Sequence, residues 1–312
     1  MERIAVPVDT SAAIRLLDDE LEIAIDGLHY LDVLSQLHRR LRPRTYFEIG
    51  TWKGASLRVA TCSSLAIDTE FRLDGDVIGT KPLCVLHQTT SDAFFASHEA
   101  RDVLGGPVDL AFIDAFHVFE NVLREFIGTE RSCTESSVIL IDDCCPRDMY
   151  MTRRALRPER PQATKYEGFW TGDVWKIAPI LRKYRPDIRV ELLDTQPTGL
   201  LACTNLNPND SILAQQYDEI VEQWRDVSLE RYGMARLLND LQPTQSTSWL
   251  AHVLPLHPND PEPVEAGPAE PSQDETIRAL SRELAAVYAS RSWSLTKPLR
   301  GLGGMLRGLR RD

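Results

Sequence analysis

Two almost uninterrupted apolar segments, each ending in an acid, most strongly limit the folds that this chain can adopt. Val108–Asp114 reads VDLAFID, and Ser137–Asp143 reads SVILIDD. Strands of a parallel sheet are covered by helices on both faces and are therefore apolar along their whole length. The carboxyl ends of such strands meet at one edge of the sheet, where ligands bind. The sequence therefore predicts an α/β protein with a ligand site at the acidic ends of these strands.

A third segment, Tyr46–Ser56, joins an apolar strand to a helix through a turn with two glycines. Gly50 and Gly54 would let the backbone approach a ligand closely, and the start of the helix would offer free N–H groups. Glu48, near the end of the strand, would repel a pyrophosphate and attract a cation. The sulfonium and ammonium groups of S-adenosylmethionine fit this arrangement better than NAD does. An ordinary strand–helix turn without a ligand is the alternative interpretation.

Two further positions complete a candidate nucleoside pocket. Asp68 ends a short apolar segment 20 residues after Glu48. An acid at this position accepts hydrogen bonds from ribose hydroxyls, although a turn or capping aspartate gives the same pattern. Ser91 and Asp92 follow a third predicted strand, Leu83–Gln88, where they would either contact an adenine or cap the next helix.

The composition excludes several classes of protein. A formal net charge of -11 over 312 residues argues against a nucleic-acid binder that works through overall basicity. No segment reaches the ~18 apolar residues of a membrane span, and the first residues lack the apolar stretch of a secretory signal. Six cysteines without a C-x-x-C pair indicate reduced thiols. We therefore expect a cytoplasmic protein that does not bind nucleic acid.

The rest of the chain divides into regions by composition and periodicity. Leucines at helical spacing predict a helix from Asp26 to Arg42. Arg189–Asp194 and Gly199–Cys203 predict an antiparallel hairpin at the sheet edge, and Arg147–Tyr166 is an Arg-rich surface segment or lid. The predicted regions are a helical cap (1–45), a ligand-binding core (46–206), a helical extension (207–254), a Pro-rich linker (255–274) and a basic amphipathic tail (275–312). The tail could lie on an anionic membrane surface, dock a partner or remain disordered.

Taken together, these motifs resemble those of class I S-adenosylmethionine-dependent methyltransferases. The segments that carry the resemblance are Tyr46–Ser56, Phe112–Glu120, Ile141–Asp143 and Gly172–Lys176. The likeness covers residues 26–206 and is greatest to a bacterial branch associated with the tailoring of sugars and natural products. The family implies a Rossmann-like seven-stranded sheet, parallel except for its last strand, with helices on both faces. Trp52 and Ala115 depart from the pattern, since many members have glycine at both positions.

The resemblance also implies roles for the residues at the ends of the strands. The implied cofactor contacts are Glu48, Gly50 and Gly54 to the methionine end, Asp68 to the ribose, and Ser91 and Asp92 to the adenine, with Asp114 beside them at the same edge. These assignments follow from position in the family's motifs, and they define the cofactor as S-adenosylmethionine.

His117 and Asp143 are the candidate catalytic residues. His117 would remove the proton of an acceptor hydroxyl as a general base near neutral pH. Alternatively, Asp114, Asp142 and Asp143 would hold Mg²⁺ or another divalent ion that lowers the pKa of the acceptor oxygen, as in metal-dependent members of the family. A packing histidine, and acids that contact only the cofactor or a turn, are the simpler interpretations of the same residues.

The predicted activity is O-methylation of a hydroxyl on a sugar, glycan or other small molecule. The segment Arg291–Arg300 is similar to tails of bacterial surface-polysaccharide glycosyltransferases, which favours an envelope glycan. A non-catalytic cofactor-binding or scaffold protein of a glycan-assembly complex is the alternative from another class. An NAD-linked oxidoreductase is disfavoured by Glu48 and by the lack of a G-x-G-x-x-G motif.

Overall fold

The computed structural model describes residues 25–155, 166 and 168–253, which all belong to a unit that spans Met1–His257. The predictions for the Pro-rich linker and the basic tail fall outside the described residues. The same holds for residues 1–24 of the predicted cap and for 156–165 of the predicted lid.

A seven-stranded sheet forms the centre of the described part of the chain, in the order β3-β2-β1-β4-β5-β7-β6. The strands are β1 (Thr45–Ile49), β2 (Ser63–Asp68), β3 (Cys84–Gln88), β4 (Val108–Ile113), β5 (Cys133–Ile141), β6 (Arg189–Leu193) and β7 (Leu200–Thr204). The first five strands pair in parallel, and β7 runs antiparallel to both of its neighbours, β5 and β6. The predicted sheet, including its terminal hairpin, is confirmed.

Helices cover both faces of this sheet. They are α1 (Tyr30–Leu41), α2 (Ala55–Val59), α3 (Ser91–Phe95), α4 (Ala100–Leu104), α5 (Phe119–Arg131), α6 (Ile177–Tyr184), α7 (Ile212–Gln215), α8 (Tyr217–Trp224), α9 (Leu229–Tyr232), α10 (Met234–Leu241) and α11 (Ser246–Val253), with a 3₁₀ turn at Val174–Lys176. Alternate side chains of β1 point to opposite faces. Tyr46 belongs to the core that includes α1, and Phe47 belongs to the core that includes α5. Among the described helices, none has the length and apolarity needed to cross a membrane.

Helix α1 begins four residues later than the leucine spacing predicts. The chain before it is held as an extended segment, because the Gly27 N–H donates to the Asp194 carbonyl at 2.9 Å. His29 then caps the helix by accepting a hydrogen bond from the Leu31 N–H. Arg42, in the left-handed region at φ 47°, ends it. Periodicity alone could not locate this start, since it depends on a partner distant in sequence.

The register of the strands aligns their carboxyl ends. Ile49 of β1 pairs with Ile67 of β2 and with Ile113 of β4, and Ile113 pairs in turn with Ile141 of β5. The residues that follow these positions form one row across the sheet, which we call the carboxyl edge: Asp68, Gly50, Asp114 and Asp142. Asp68, Asp114 and Asp142, three of the strand-end acids predicted from the sequence, therefore lie in one row, with Gly50 between the first two.

Candidate active site at the carboxyl edge

Glu48 lies within β1, two residues before Gly50, rather than at the carboxyl edge. Its side chain has no exposed surface, and its Oε2 accepts a hydrogen bond from the Tyr46 hydroxyl at 2.7 Å. Burial raises the pKa of Glu48 to about 7, against the lowering effect of the hydrogen bond from Tyr46. This corrects the expectation that Glu48 meets a cationic ligand directly, because a strand residue two positions before the edge points into the core.

The raised pKa of Glu48 predicts a pH-dependent stability. A carboxyl whose pKa is higher in the folded than in the unfolded protein contributes stability that is complete below about pH 4.5 and is lost as the pH rises through about 7. We therefore expect Glu48→Gln to raise the free energy of unfolding at pH 8 by roughly 1–3 kcal/mol relative to the wild type, with a smaller gain at pH 5. Urea unfolding at both pH values measures this difference. Glu222→Gln, an exposed change, is the control, and an equal gain at both pH values would contradict the prediction.

The turn after β1 is held together by its own packing. Gly50 has a φ of +88°, and a Cβ there would lie 1.8 Å from the carbonyl oxygen of Asp114. Gly54 has a φ of +78°, and its Cβ would lie 2.6 Å from Val77 Cγ1. Both glycines are therefore required by contacts within the protein, whether or not a ligand is present. Trp52 adopts a φ of +43°, and its indole is half exposed. Many members of the methyltransferase family that the sequence resembles have glycine at this position.

Asp68 connects this turn to the end of β2. Its Oδ2 accepts a hydrogen bond from the Trp52 N–H at 2.6 Å, and its Oδ1 accepts one from the Glu70 N–H at 3.0 Å. Each carboxylate oxygen keeps a second lone pair for a further donor. Asp68 can therefore accept bonds from a pair of hydroxyls while it holds the turn, as the predicted ribose contact requires.

Ser91 and Asp92 stand at the start of α3, but neither caps this helix. Thr90 is the cap, because its side chain accepts a hydrogen bond from the Ala93 N–H. The capping alternative for Ser91 and Asp92 is therefore wrong, because both residues lie inside the helix, which begins at Ser91. Both side chains instead contact the neighbouring helix α5. The predicted contact with adenine stays a prediction.

Asp114, His117 and Asp143 form a compact cluster beside the turn, which we call the acid–histidine cluster. His117 Nε2 lies 3.2 Å from Asp114 Oδ1, and His117 Nδ1 lies 3.1 Å from Asp143 Oδ2. The Nδ1 also lies 2.5 Å from the carbonyl oxygen of Trp170. One ligand atom from each of the three residues lies within 4.8 Å of the others, so the cluster could hold a metal ion. Asp142 is not part of this set, and its Oδ1 accepts a hydrogen bond from the Asp143 N–H.

The two carboxylates control the charge of His117. Burial lowers the pKa of His117. Asp143, Asp114 and the Trp170 carbonyl raise it by a larger amount, so that the pKa is about 10. Burial also raises the pKa of Asp143 to about 6, and raises that of Asp142 well above its usual range. The imidazole is thus a cation at neutral pH in this arrangement. The expectation that His117 is a free base near neutral pH therefore needs correction, because a base must be deprotonated before it can accept a proton.

Three non-glycine residues at the carboxyl edge have positive φ values. They are Trp52 (43°), His117 (38°) and Asp143 (61°), one in the loop after each of β1, β4 and β5. Such conformations cost about 1–3 kcal/mol each and concentrate at functional sites. The backbone is therefore strained where the acid–histidine cluster and the glycine turn meet.

A charged network around the buried Asp173, to which the sequence patterns assign no role, lies beside His117, because the Asp173 N–H donates a hydrogen bond to the His117 carbonyl at 3.2 Å. Asp173 Oδ1 accepts a hydrogen bond from the Phe119 N–H at the start of α5. Its Oδ2 pairs with Lys176 Nζ at 2.9 Å and with Arg154 Nη1 at 2.5 Å. The only sequence signal for this network was an acid and a lysine three residues apart after a turn glycine. The partner Arg154 is distant in sequence and could not be identified from that spacing.

Part of this chain is similar to a known protein family. Residues 47–144 match a family model described as a methyltransferase domain, and these residues contain both the glycine turn and the acid–histidine cluster. This part of the chain is therefore similar to a methyltransferase domain, in agreement with the resemblance found in the sequence. No significant match is found among curated proteins.

Solved structures give more distant likenesses. A putative O-methyltransferase from Klebsiella pneumoniae is 16% identical, with a TM-score of 0.38, over 57% of this chain and 80% of that one. The O-methyltransferase TomG from Streptomyces achromogenes, involved in tomaymycin synthesis and solved with SAM, is 16% identical, with a TM-score of 0.41, over 61% and 86% of the two chains. The Podospora anserina methyltransferase PaMTH1, solved with SAH, is 15% identical, with a TM-score of 0.38, over 56% and 77%. Likenesses of this size do not identify a substrate.

Proposed function

We propose that this protein is an S-adenosylmethionine-dependent O-methyltransferase that acts on a hydroxyl of a sugar, glycan or other small molecule. The observation that carries the proposal is the position of the acid–histidine cluster, on the same sheet edge as the glycine turn and within the methyltransferase domain. Transfer of a methyl group to a hydroxyl needs a donor and an acceptor that are held in line, and a group that takes up the released proton. A single edge of the sheet would provide all three.

The carboxyl edge fits the donor through groups that keep hydrogen-bonding capacity. Asp68 would accept bonds from the ribose hydroxyls, and Ser91 and Asp92 would receive the adenine. The turn from Gly50 to Gly54 would enclose the methionine end, with Glu48 behind it. When bound, S-adenosylmethionine supplies a methyl group activated by a sulfonium.

His117 and Asp143 would divide the work at the acceptor. The imidazolium of His117 would place a positive charge beside the acceptor oxygen, which favours loss of the hydroxyl proton. Asp143 Oδ2, 3.1 Å from His117 Nδ1, would be the carboxylate nearest to receive that proton. Asp114 would hold the opposite nitrogen of the ring and so fix its orientation.

A divalent metal is the alternative occupant of the acid–histidine cluster. One imidazole nitrogen and two carboxylate oxygens suit Mn²⁺, Fe²⁺ or Zn²⁺ better than Mg²⁺, which prefers oxygen ligands. Asp114, His117 and Asp143 would bind the ion, with Asp142 outside the ligand set. Such an ion would polarise the acceptor oxygen.

A two-part experiment tests the proposal. Isothermal titration of the full chain with S-adenosylhomocysteine and, separately, NADH should give binding of the first only. Labelled S-adenosylmethionine, incubated with a panel of nucleotide sugars, monosaccharides and phenols, should then transfer its methyl group to a hydroxyl acceptor. Turnover that survives EDTA would assign the reaction to His117 and Asp143 without a metal, and turnover restored by Mn²⁺ after EDTA would assign it to a metal. Failure to bind S-adenosylhomocysteine would contradict the proposal, and binding without transfer to any acceptor would favour a scaffold protein.

A further inference from the structure

Two adjacent residues of α5, Arg124 and Glu125, hold the two residues that open α3. Ser91 Oγ donates a hydrogen bond to Glu125 Oε1 at 2.7 Å. Arg124 pairs with Asp92 through two bonds, Nε to Oδ1 at 2.6 Å and Nη2 to Oδ2 at 2.9 Å. The sequence patterns gave no role to either residue of α5. The loop proposed to receive adenine is thus tied to the helix that begins two residues after His117.

Glu125 is an unusual residue for the interior of the protein. Its side chain is 2% exposed, and its Oε2 has no hydrogen-bond partner among the described residues. Burial raises the pKa of Glu125 to about 7, while the Ser91 hydroxyl lowers it; of the nearby charges, Asp92 raises it and Arg124 and His117 lower it. An incompletely paired buried carboxyl destabilises a fold. Packing alone therefore does not account for Glu125.

The hydrogen bond to Glu125 fixes what the Ser91 hydroxyl can offer to a ligand. A serine hydroxyl has one proton to donate and two lone pairs, whereas an ionised carboxylate can only accept. Once Ser91 has donated its proton to Glu125, its oxygen can only accept a bond from a third group. The 6-amino group of adenine is a donor, whereas the 6-oxo group of hypoxanthine is an acceptor.

We infer that Glu125 is a positioning residue that makes Ser91 an acceptor for the amino group of adenine, so that the site selects adenine over a 6-oxopurine. The inference rests on the proposed function, because it takes the loop at Ser91 as the adenine subsite. Arg124 pairs with the neighbouring Asp92, the second residue of α3, and so also holds the start of this helix in place.

Isothermal titration of the full chain with S-adenosylhomocysteine and S-inosylhomocysteine tests this inference. The measurements are made at pH 8.5, where Glu125 is ionised. We expect the wild type to prefer the adenine compound by about tenfold. This is the effect of one hydrogen bond, which adenine would form with the Ser91 oxygen and hypoxanthine would not. Glu125→Gln should reduce the preference to below about threefold, because a glutamine amide can also donate to Ser91 and no longer dictates its direction. Ser91→Ala should have the same effect, and the double variant should lose no more than either single variant.

Thr129→Val is the matched control. Thr129 is buried one turn further along α5, and its hydroxyl has no hydrogen-bond partner among the described residues, so this variant should keep the preference for adenine. A wild type that binds neither compound would overturn the proposed function and the inference with it. A wild type that binds both equally, or a Glu125→Gln variant that binds more weakly but keeps the preference, would overturn the inference alone.

Discussion

Replacing His117 by asparagine should lower the rate of methyl transfer by about 10²–10³-fold, the usual effect of removing one group that stabilises the charge developing in the transition state. His117 is the residue that joins Asp114 to Asp143, at 3.2 Å and 3.1 Å, and its cationic charge lies where the acceptor hydroxyl must lose its proton. The asparagine amide can donate hydrogen bonds but carries no charge. The rate is measured with labelled S-adenosylmethionine and the acceptor that the panel identifies.

The affinity for S-adenosylhomocysteine separates a catalytic from a structural effect in this variant. It should stay within about threefold of the wild type, because a charge needed mainly in the transition state adds little to ground-state binding. His98→Asn, which changes an exposed histidine that contacts Ser97, should leave both quantities unchanged. Retention of the wild-type rate by His117→Asn would remove His117 from the reaction.

Replacing Asp173 by alanine should lower the free energy of unfolding by about 3–5 kcal/mol, the usual effect of removing one partner from a buried ion pair. Lys176 is 2% exposed, and in this variant its charged Nζ would lose the Asp173 carboxylate with which it pairs. The start of α5 would also lose the acceptor of the Phe119 N–H. Urea unfolding of the full chain gives the change in free energy.

An exposed ion pair provides the comparison for Asp173. Glu70 pairs with Arg72 at 2.9 Å, but both side chains are more than half exposed, so Glu70→Ala should change the free energy of unfolding far less than Asp173→Ala does. Equal effects of the two substitutions would mean that the buried network does not stabilise the fold.

The sheet could be predicted from the sequence because each strand is recognised from the residues of one short segment. Val108–Asp114 and Ser137–Asp143 are apolar along their length, which is typical of strands covered on both faces, and their terminal acids indicate the carboxyl edge. The same reasoning placed Asp68, Asp114 and Asp142 in one row. It does not locate Glu48, because β1 continues one residue beyond it to Ile49 and the Glu48 side chain is buried.

The arrangement within the site depends on contacts between distant segments, which spacing does not reveal. His117 was recognised as a candidate, but its charge is set by Asp143 and the Trp170 carbonyl, 26 and 53 residues further along the chain. Its pKa could therefore not be derived from its neighbours in sequence. The bond between Ser91 and Glu125 joins α3 to α5, and no local pattern identifies it.

A crystal structure of the full chain with S-adenosylhomocysteine tests most directly whether the carboxyl edge binds a methyl donor. We predict electron density for the nucleoside with its ribose hydroxyls at Asp68, its adenine at Ser91 and its sulfur facing His117. Density for the nucleoside at another surface, or crystals that take up none of the compound at millimolar concentration, would contradict this assignment.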